Sequence, residues 1–324
     1  MPQVSLLVPV FNRAELLGPC LDSALAQTMP DLEIVVVDGA STDGTWKVCQ
    51  RYAAADPRVR AFHDEVNTGP ARGWWRCVEE ARGTYATFLW SDDMLKPTFL
   101  ERTLPLLADK DVAFAFTAAE VGHVPGSGTI HYSYPAGRIP SRDFIVGSLP
   151  VNSSYPVSPA CALFRLDDLR RDFMMELPTS PAVDLTRTGA GIDLLFFLNP
   201  ALRYPSIACI PEPLAFFRSH PGSLTVDDRG GLVSLGYALV ERWFAQAHGY
   251  GDICRPVLVR HWLHEMRSKR RLISPATQAR QYGNLMTAPQ LVAGGARQAS
   301  GAGIRAIARG ARRLLRAVRR VGRR

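Results

Sequence analysis

The chain contains no Cys-x-x-Cys pair, no Gly-x-Gly-x-x-Gly after its first apolar run and no Walker-type glycine loop. The last two absences exclude a dinucleotide fingerprint and a P-loop phosphate cradle. The six cysteines, Cys20, Cys49, Cys77, Cys161, Cys209 and Cys254, are scattered, several of them within apolar helix or strand patterns. They read as reduced core thiols in a cytosolic setting. No run reaches the ~18 apolar residues of a membrane span, and nothing repeats at a solenoid period. The chain enters its first strand at once, so no signal peptide is expected. From Arg297 to Arg324 there is no Asp, Glu or Lys, yet ten arginines. Taking those ten from the net charge of +8 leaves −2 on residues 1–296, so the body is near neutral and the tail supplies the basicity.

What is present is an alternation. Val4 to Val10 is nearly continuous apolar sequence, as a parallel strand buried on both faces requires. A helix pattern follows over Ala14 to Gln27. A second strand is expected at Leu32–Val37, then a helix to about Ala55, with Ser41 or Thr42 as its cap and Asp43 as a turn and cap residue. Val59–Phe62 reads as a third strand, and a helix ends near Ala81. A fourth strand is expected to run into Asp92-Asp93. Strand and helix alternating over the first 90 or so residues predict an α/β fold with a Rossmann-like, mostly parallel sheet flanked by helices.

The chemistry sits just after the strands. Asp38, the Asn67–Gly69 loop and Asp92-Asp93 would share one edge of a parallel sheet, where open α/β folds bind ligands. Adjacent carboxylates repel each other unless a cation sits beside them, and oxygen ligands of this kind suit Mg²⁺ or Mn²⁺ together with phosphate oxygens. Without a glycine cradle, a cation on Asp92 is the expected means of neutralising a phosphate.

Several of these runs carry a resemblance. Val8-Pro9-Val10-Phe11-Asn12, Glu33 to Thr45 with Asp38 at its centre, Asn67-Thr68-Gly69-Pro70-Ala71-Arg72, Ser91-Asp92-Asp93 and Glu212 to Thr225 occur in this order. Together they resemble family 2 glycosyltransferases over roughly residues 3–225. The resemblance implies a GT-A fold and inverting transfer of one sugar from a nucleoside diphosphate sugar, UDP or dTDP type, to a glycan, lipid-linked or polysaccharide precursor. It implies that Asp38 bonds the base, and that Pro9, Phe11 and Asn12 wall the base and ribose. Asn67, Gly69 and Arg72 belong to the donor site. Asp92, Asp93 and His220 would hold Mn²⁺ or Mg²⁺, and Arg218 would face the diphosphate. Asp193, in Gly191-Ile192-Asp193, would be the catalytic base, with Asp184 as runner-up.

The sequence also departs from the family pattern. Trp90 stands where another Asp is usual, Gly39 where a second acid often follows Asp38, and Ile192 where Glu usually precedes the base. The Gln-x-x-Arg-Trp motif of processive members is absent, since Leu239 precedes Arg242-Trp243. One sugar per acceptor is therefore expected, and not polymer synthesis. Of Trp74 and Trp75, one is expected to fill core. His131, Tyr132 and Tyr134 read equally as acceptor-loop or surface residues.

The expected organisation is a nucleotide-sugar-binding half over 1–116, an acceptor half of the same domain over 117–231, a helical extension over 232–293 and a linker with a basic tail over 294–324. In the tail Ile304, Ile307, Leu314, Leu315, Val318 and Val321 recur at three- and four-residue spacing, with arginines on the other face. Such a helix reads as binding an anionic membrane surface through residues 303–324; a terminal helix packed on the body and a disordered basic arm stay open beside it. No nucleic acid partner is expected, because aromatic interleaving is lacking. The expected location is the cytoplasm, with a peripheral position at the inner face of the cell membrane left open. Two other readings remain at this level: a nucleotide-sugar-binding protein without activity, and a membrane- or nucleic-acid-binding protein acting through its tail.

Overall fold

A computed structural model describes residues 1–149, 155–179, 182–223 and 232–250. The arginine-rich tail and Cys254 lie outside the described residues. The chain divides into two compact units, Met1–Asp227 and Asp228–Arg324.

The first unit begins with the predicted alternation: β1 (Val4–Val10), α1 (Ala14–Leu25), β2 (Leu32–Asp38), α2 (Thr45–Ala55), β3 (Val59–His63), α3 (Pro70–Glu80) and β4 (Tyr85–Phe88). The short β5 (Met94–Leu95) and α4 (Phe99–Thr103) follow. The second part contains β6 (Val112–Gly122), β7 (Thr129–His131), β8 (Gly137–Pro140), α5 (Ser141–Ser148), β9 (Ala162–Arg165) and α6 (Leu166–Asp172). It ends with β10 (Glu176–Leu177), β11 (Val183–Asp184), α7 (Ile192–Ala201) and β12 (Ser206–Arg218). In the second unit α8 (Leu232–Ala247) is described, with Val240 and Phe244 fully buried.

One sheet organises the first unit, in the order β3-β2-β1-β4-β9-β6-β12-β5. β3, β2, β1 and β4 pair in parallel, and so do β6 and β12. β9 runs antiparallel to both β4 and β6. Reversing twice restores direction, so β4, β6 and β12 all end at the edge where β1 and β2 end. β10 and β11 form a separate antiparallel pair. β6 spans residues 112–122, so the point between 116 and 117 lies inside a strand.

Every residue of β2 is buried, Glu33 and Asp38 included, which fits the apolar run Ile34-Val35-Val36-Val37 at its centre. In the second part the core is aromatic: Phe114 meets Phe144, Phe164 and Phe197 at ring-centre distances of 5.1–5.4 Å. Phe88 at the end of β4 stacks on Phe196 of α7 at 5.4 Å and 11°. That contact ties the helix carrying Asp193 to the strand that leads to Asp92.

Two local expectations are corrected. β4 ends at Phe88, and not at Asp92. Leu89 still donates its N–H to Leu7 (2.8 Å), but the Asp93 N–H then closes a turn on the Trp90 carbonyl (2.9 Å). The carboxylates therefore sit on a turn beyond the strand. Neither Ser41 nor Thr42 caps α2. Asp43 does this work, because its Oδ1 accepts from the Thr45 N–H (3.0 Å) and hydroxyl (2.6 Å), while Oδ2 accepts from the Ala14 N–H (3.1 Å) at the start of α1. Ser41 is engaged instead by the loop after β1, as described below.

Behind the sheet edge, Arg203 clamps α6 to the residues after α7. Its guanidinium donates to Asp172 (2.6 and 2.9 Å) and Asp168 (2.8 Å), and Tyr204 donates to Asp168 (2.9 Å). Burial pushes the Asp172 carboxyl above its usual range, against the pull of Arg203. Its proton is thus held more tightly folded than unfolded. The stability this contributes is present below the ordinary carboxylate range and is lost as pH rises through the higher folded value. Arg203→Met should leave buried Asp172 without its hydrogen-bonded cation and Asp168 with Arg171 alone (3.2 Å). We expect a loss of about 3 kcal/mol at neutral pH, the low end for a broken buried pair because the guanidinium is 31% exposed. Without Arg203 the Asp172 carboxyl rises further, so the Tm deficit should shrink towards pH 4. A deficit that does not change with pH would rule out this account of the clamp.

Candidate donor-binding cleft

Two loops build one end of the cleft. After β1 the chain turns through Asn12, whose φ is +50°, and after β2 through Ala40, whose φ is +63°. Asn and its local hydrogen bonds tolerate this left-handed region, whereas Ala has only its surroundings to hold it there. The loops are laced together. The Asn12 N–H donates to Ser41 Oγ (2.8 Å), Asn12 Oδ1 accepts from the Thr42 N–H (2.9 Å), and the Arg13 N–H donates to Thr45 Oγ1 (2.8 Å). Hydrogen bonds from Thr45 and Ala14 outweigh the upward pull of burial at Asp43 and hold that carboxylate below its usual range. Phe11 is left 44% exposed at this mouth.

Asp38 closes β2 with no solvent exposure. Its Oδ2 accepts from His63 Nδ1 (2.7 Å) and from the Ser41 N–H (3.3 Å). Its Oδ1 is buried and has no hydrogen-bond partner among the described residues. Buried carboxylate oxygens are rarely left this way, and each such case asks for a donor.

The other end is charged. His220 Nε2 lies 2.8 Å from Asp92 Oδ2, and Arg13 Nε is 4.0 Å from the same oxygen. Arg13 also donates to the Gly222 carbonyl (2.8 Å) and the Asn12 carbonyl (3.1 Å), so it ties the segment after β12 to the loop after β1. Arg218 Nε donates to the Asp92 carbonyl (3.2 Å). Asp93 is bonded to backbone instead: its buried Oδ1 accepts the Arg218 N–H (2.9 Å). Burial first, and the Asp92 charge second, push the Asp93 carboxyl well above its usual range.

The structure thus brings Asp92 and His220 into contact and uses Asp93 to pin the end of β12. No group of three His, Cys, Asp or Glu side chains able to hold a metal is assembled among the described residues. A carboxylate oxygen beside an imidazole nitrogen suits an ion whose remaining ligands come from a diphosphate and water, as Mg²⁺ and Mn²⁺ take them.

Asp193 lies in the first turn of α7, 8% exposed. Its Oδ1 accepts the N–H groups of Gly191 and Leu194 (both 2.9 Å). The preceding loop needs glycine. Gly189 has φ +69°, and a Cβ there would come within 2.4 Å of the Trp74 ring. Gly191 has φ +94° immediately before the helix. Tyr132 feels Asp193: burial foremost, then Cys161 and Asp193, push its phenol upward. Asp93 in turn acts on the Cys161 thiol, after burial. Asp193 and Asp93 thus share the neighbourhood of Tyr132 and Cys161. Asp184 is exposed, and hydrogen bonds from Thr186 hold it below the usual carboxylate range.

The remaining predicted residues frame this space. Asn67 Oδ1 accepts the Gly69 N–H (2.8 Å), and a Cβ at Gly69 would meet the Thr186 carbonyl at 3.0 Å. Arg72 lies close enough to Asp184 to lower it. Pro9 is the partly buried penultimate residue of β1. Trp74 is the core tryptophan of its pair, 8% exposed and 4.8 Å from Trp90. Trp90 donates its Nε1–H to Ser158 Oγ (2.9 Å). Sequence reasoning passed over Arg13 and His63. Arg13 had a signal, since it directly follows Asn12 after β1. His63 had none, because only the β2–β3 register sets it opposite Asp38.

With these features in place, a comparison is decisive. The model of glycosyl transferase family 2 matches residues 5–172. The chain belongs to this family. Among curated relatives, this family 2 chain is 33% identical over 108 residues to the glycosyltransferase GlyG of Streptococcus pneumoniae, covering 33% of the chain and 36% of that protein. It is 38% identical over 118 residues to the chondroitin synthase of Pasteurella multocida, covering 36% of the chain and 12% of that protein. The chain therefore spans well under two thirds of the length of these relatives. The crystal structure of S. aureus TarS 1–349 in complex with UDP-GlcNAc superposes with a TM-score of 0.63 at 18% identity, covering 98% of this chain and 89% of that one. At that identity the likeness establishes the GT-A fold alone.

Proposed function

We propose that the cleft transfers one sugar, with inversion, from a nucleoside diphosphate sugar of UDP or dTDP type to a glycan, lipid-linked or polysaccharide precursor. The observation that carries this reading is the buried Asp38 carboxylate, one oxygen of which has no partner among the described residues, on the strand that leads to the loop laced to Asn12. The imide N–H of uracil or thymine supplies the missing donor. The family match supports sugar transfer. The names of the chondroitin synthase relative and of the TarS complex with UDP-GlcNAc support a polysaccharide context and a UDP donor.

In this reading Arg13, Arg218 and His220 face the diphosphate and offset the charge it gains as the glycosidic C–O bond breaks, the largest task in such a transfer. Asp92, with His220, holds a divalent ion on the diphosphate. When bound, that ion supplies electrostatic stabilisation of the leaving group. Asp193 takes the proton of the acceptor hydroxyl as its oxygen bonds to the anomeric carbon from the opposite face. The basic, amphipathic pattern of residues 303–324 supports attachment to an anionic membrane surface from the cytoplasmic side.

Three outcomes test the proposal. Asp92→Asn should weaken Mn²⁺-dependent binding of UDP by about tenfold or more, measured by titration calorimetry with and without metal. Equal metal dependence in variant and wild type would remove Asp92 from the metal site. Asp193→Asn should lower kcat by about 10²–10⁴ while leaving UDP affinity near normal, because the base touches the acceptor and not the nucleotide. Near-normal turnover would transfer the role to Asp184. Binding to anionic vesicles should fall with added salt and disappear on deleting residues 297–324; equal binding by the truncated chain would exclude the tail as anchor.

A further inference from the structure

Resting on the base-site reading above, we propose that His63 is the positioning residue that makes the site selective for an imide base: it keeps Asp38 a hydrogen-bond acceptor towards the nucleotide. Asp38 has two oxygens and one of them is committed. His63 Nδ1 lies 2.7 Å from Oδ2, and a carboxylate can only accept, so Nδ1 carries the hydrogen.

The ring is not free to leave. Asp38 and His63 are register partners across the parallel β2–β3 ladder, and the Asp64 N–H donates to the Asp38 carbonyl (2.9 Å). Arg76 donates to the His63 carbonyl (3.3 Å) and pairs with Asp64. On its other side the imidazole lies against Trp46, ring centres 4.9 Å apart and inclined by 33°. The Ser41 N–H adds a second donor to Oδ2 (3.3 Å). Among the described residues every donor to the Asp38 side chain therefore reaches Oδ2, and Oδ1 keeps its lone pairs for the ligand.

With Oδ2 held by His63, Asp38 turns Oδ1 to accept from the N3–H of uracil or thymine, and the same oxygen repels the N3 lone pair of cytosine. Without the His63 donor only the Ser41 N–H holds Oδ2, so the aim of Oδ1 at an imide N–H is relaxed. His63 thus governs discrimination between bases more than affinity for the diphosphate. A role confined to folding would lower affinity for every nucleotide alike.

The test uses the full chain with Mn²⁺ and measures dissociation constants for UDP, CDP, GDP and N3-methyl-UDP. Wild type should prefer UDP to CDP and to N3-methyl-UDP by about 10- to 100-fold, the range for one hydrogen bond to a charged group. His63→Ala should reduce both ratios at least threefold, and His63→Asn, which keeps an N–H donor, should recover part of them. His63→Phe keeps the packing on Trp46 without the donor and carries the same test should the Ala variant fail to fold. Unchanged ratios in the folded Ala or Phe variant overturn the inference about His63. Asp38→Ala separates that failure from a failure of the underlying reading. If Asp38→Ala removes the UDP preference and His63→Ala does not, only the role of His63 falls. If Asp38→Ala leaves the preference unchanged, or wild type binds CDP or GDP as tightly as UDP, the imide site itself is overturned.

Discussion

The parallel pairing of β3, β2, β1 and β4 is the constraint on which the cleft depends. Parallel strands end at a common edge, so Asp38, the Phe11–Arg13 loop, His63 and the Asp92 turn become neighbours although their sequence positions span 80 residues or so. β9 extends the same logic. Because it is antiparallel to both β4 and β6, it returns the second part of the unit to the direction of the first. The end of β12, with Arg218 and His220 beyond it, therefore arrives at Asp92. A sheet without that reversal would have put Arg218 at the opposite edge.

The cleft is held by polar lacing where the core cannot reach. One carboxylate, Asp43, serves the starts of both α1 and α2, and Asn12 trades hydrogen bonds with Ser41 and Thr42. Asp93 spends its carboxylate on the Arg218 backbone, which leaves Asp92 as the acid of the pair that faces the basic groups. On the acceptor side the positioning is steric. Gly189 lets the loop before Asp193 lie against Trp74, and Phe196 stacks on Phe88. Side chains on separate elements thus fix the start of α7 relative to the end of β4.

Much of the first half was legible because each element there announces itself locally. Apolar runs of strand length alternate with helical periodicity, and both ends of β1 and the last residues of α2 and α3 fall within a residue or so of those expected. The errors have local causes too. The apolar run Phe88-Leu89-Trp90 continues past the last ladder bond, so β4 looked longer than it is. Ser41 resembles a helix cap in sequence, but the Asn12 N–H claims its hydroxyl.

By itself the sequence determined the α/β alternation, the position of Asp38 and Asp92 after strands, and the family, since these follow from periodicity and from short contiguous runs. Only the tertiary structure decided how the two adjacent aspartates divide their work, that Arg13 bridges β1 and the segment after β12, and that His63 holds Asp38. The physical reason is the same in each case. Those roles depend on hydrogen bonds between residues from 25 to 209 positions apart, which strand order and register create and local pattern does not contain.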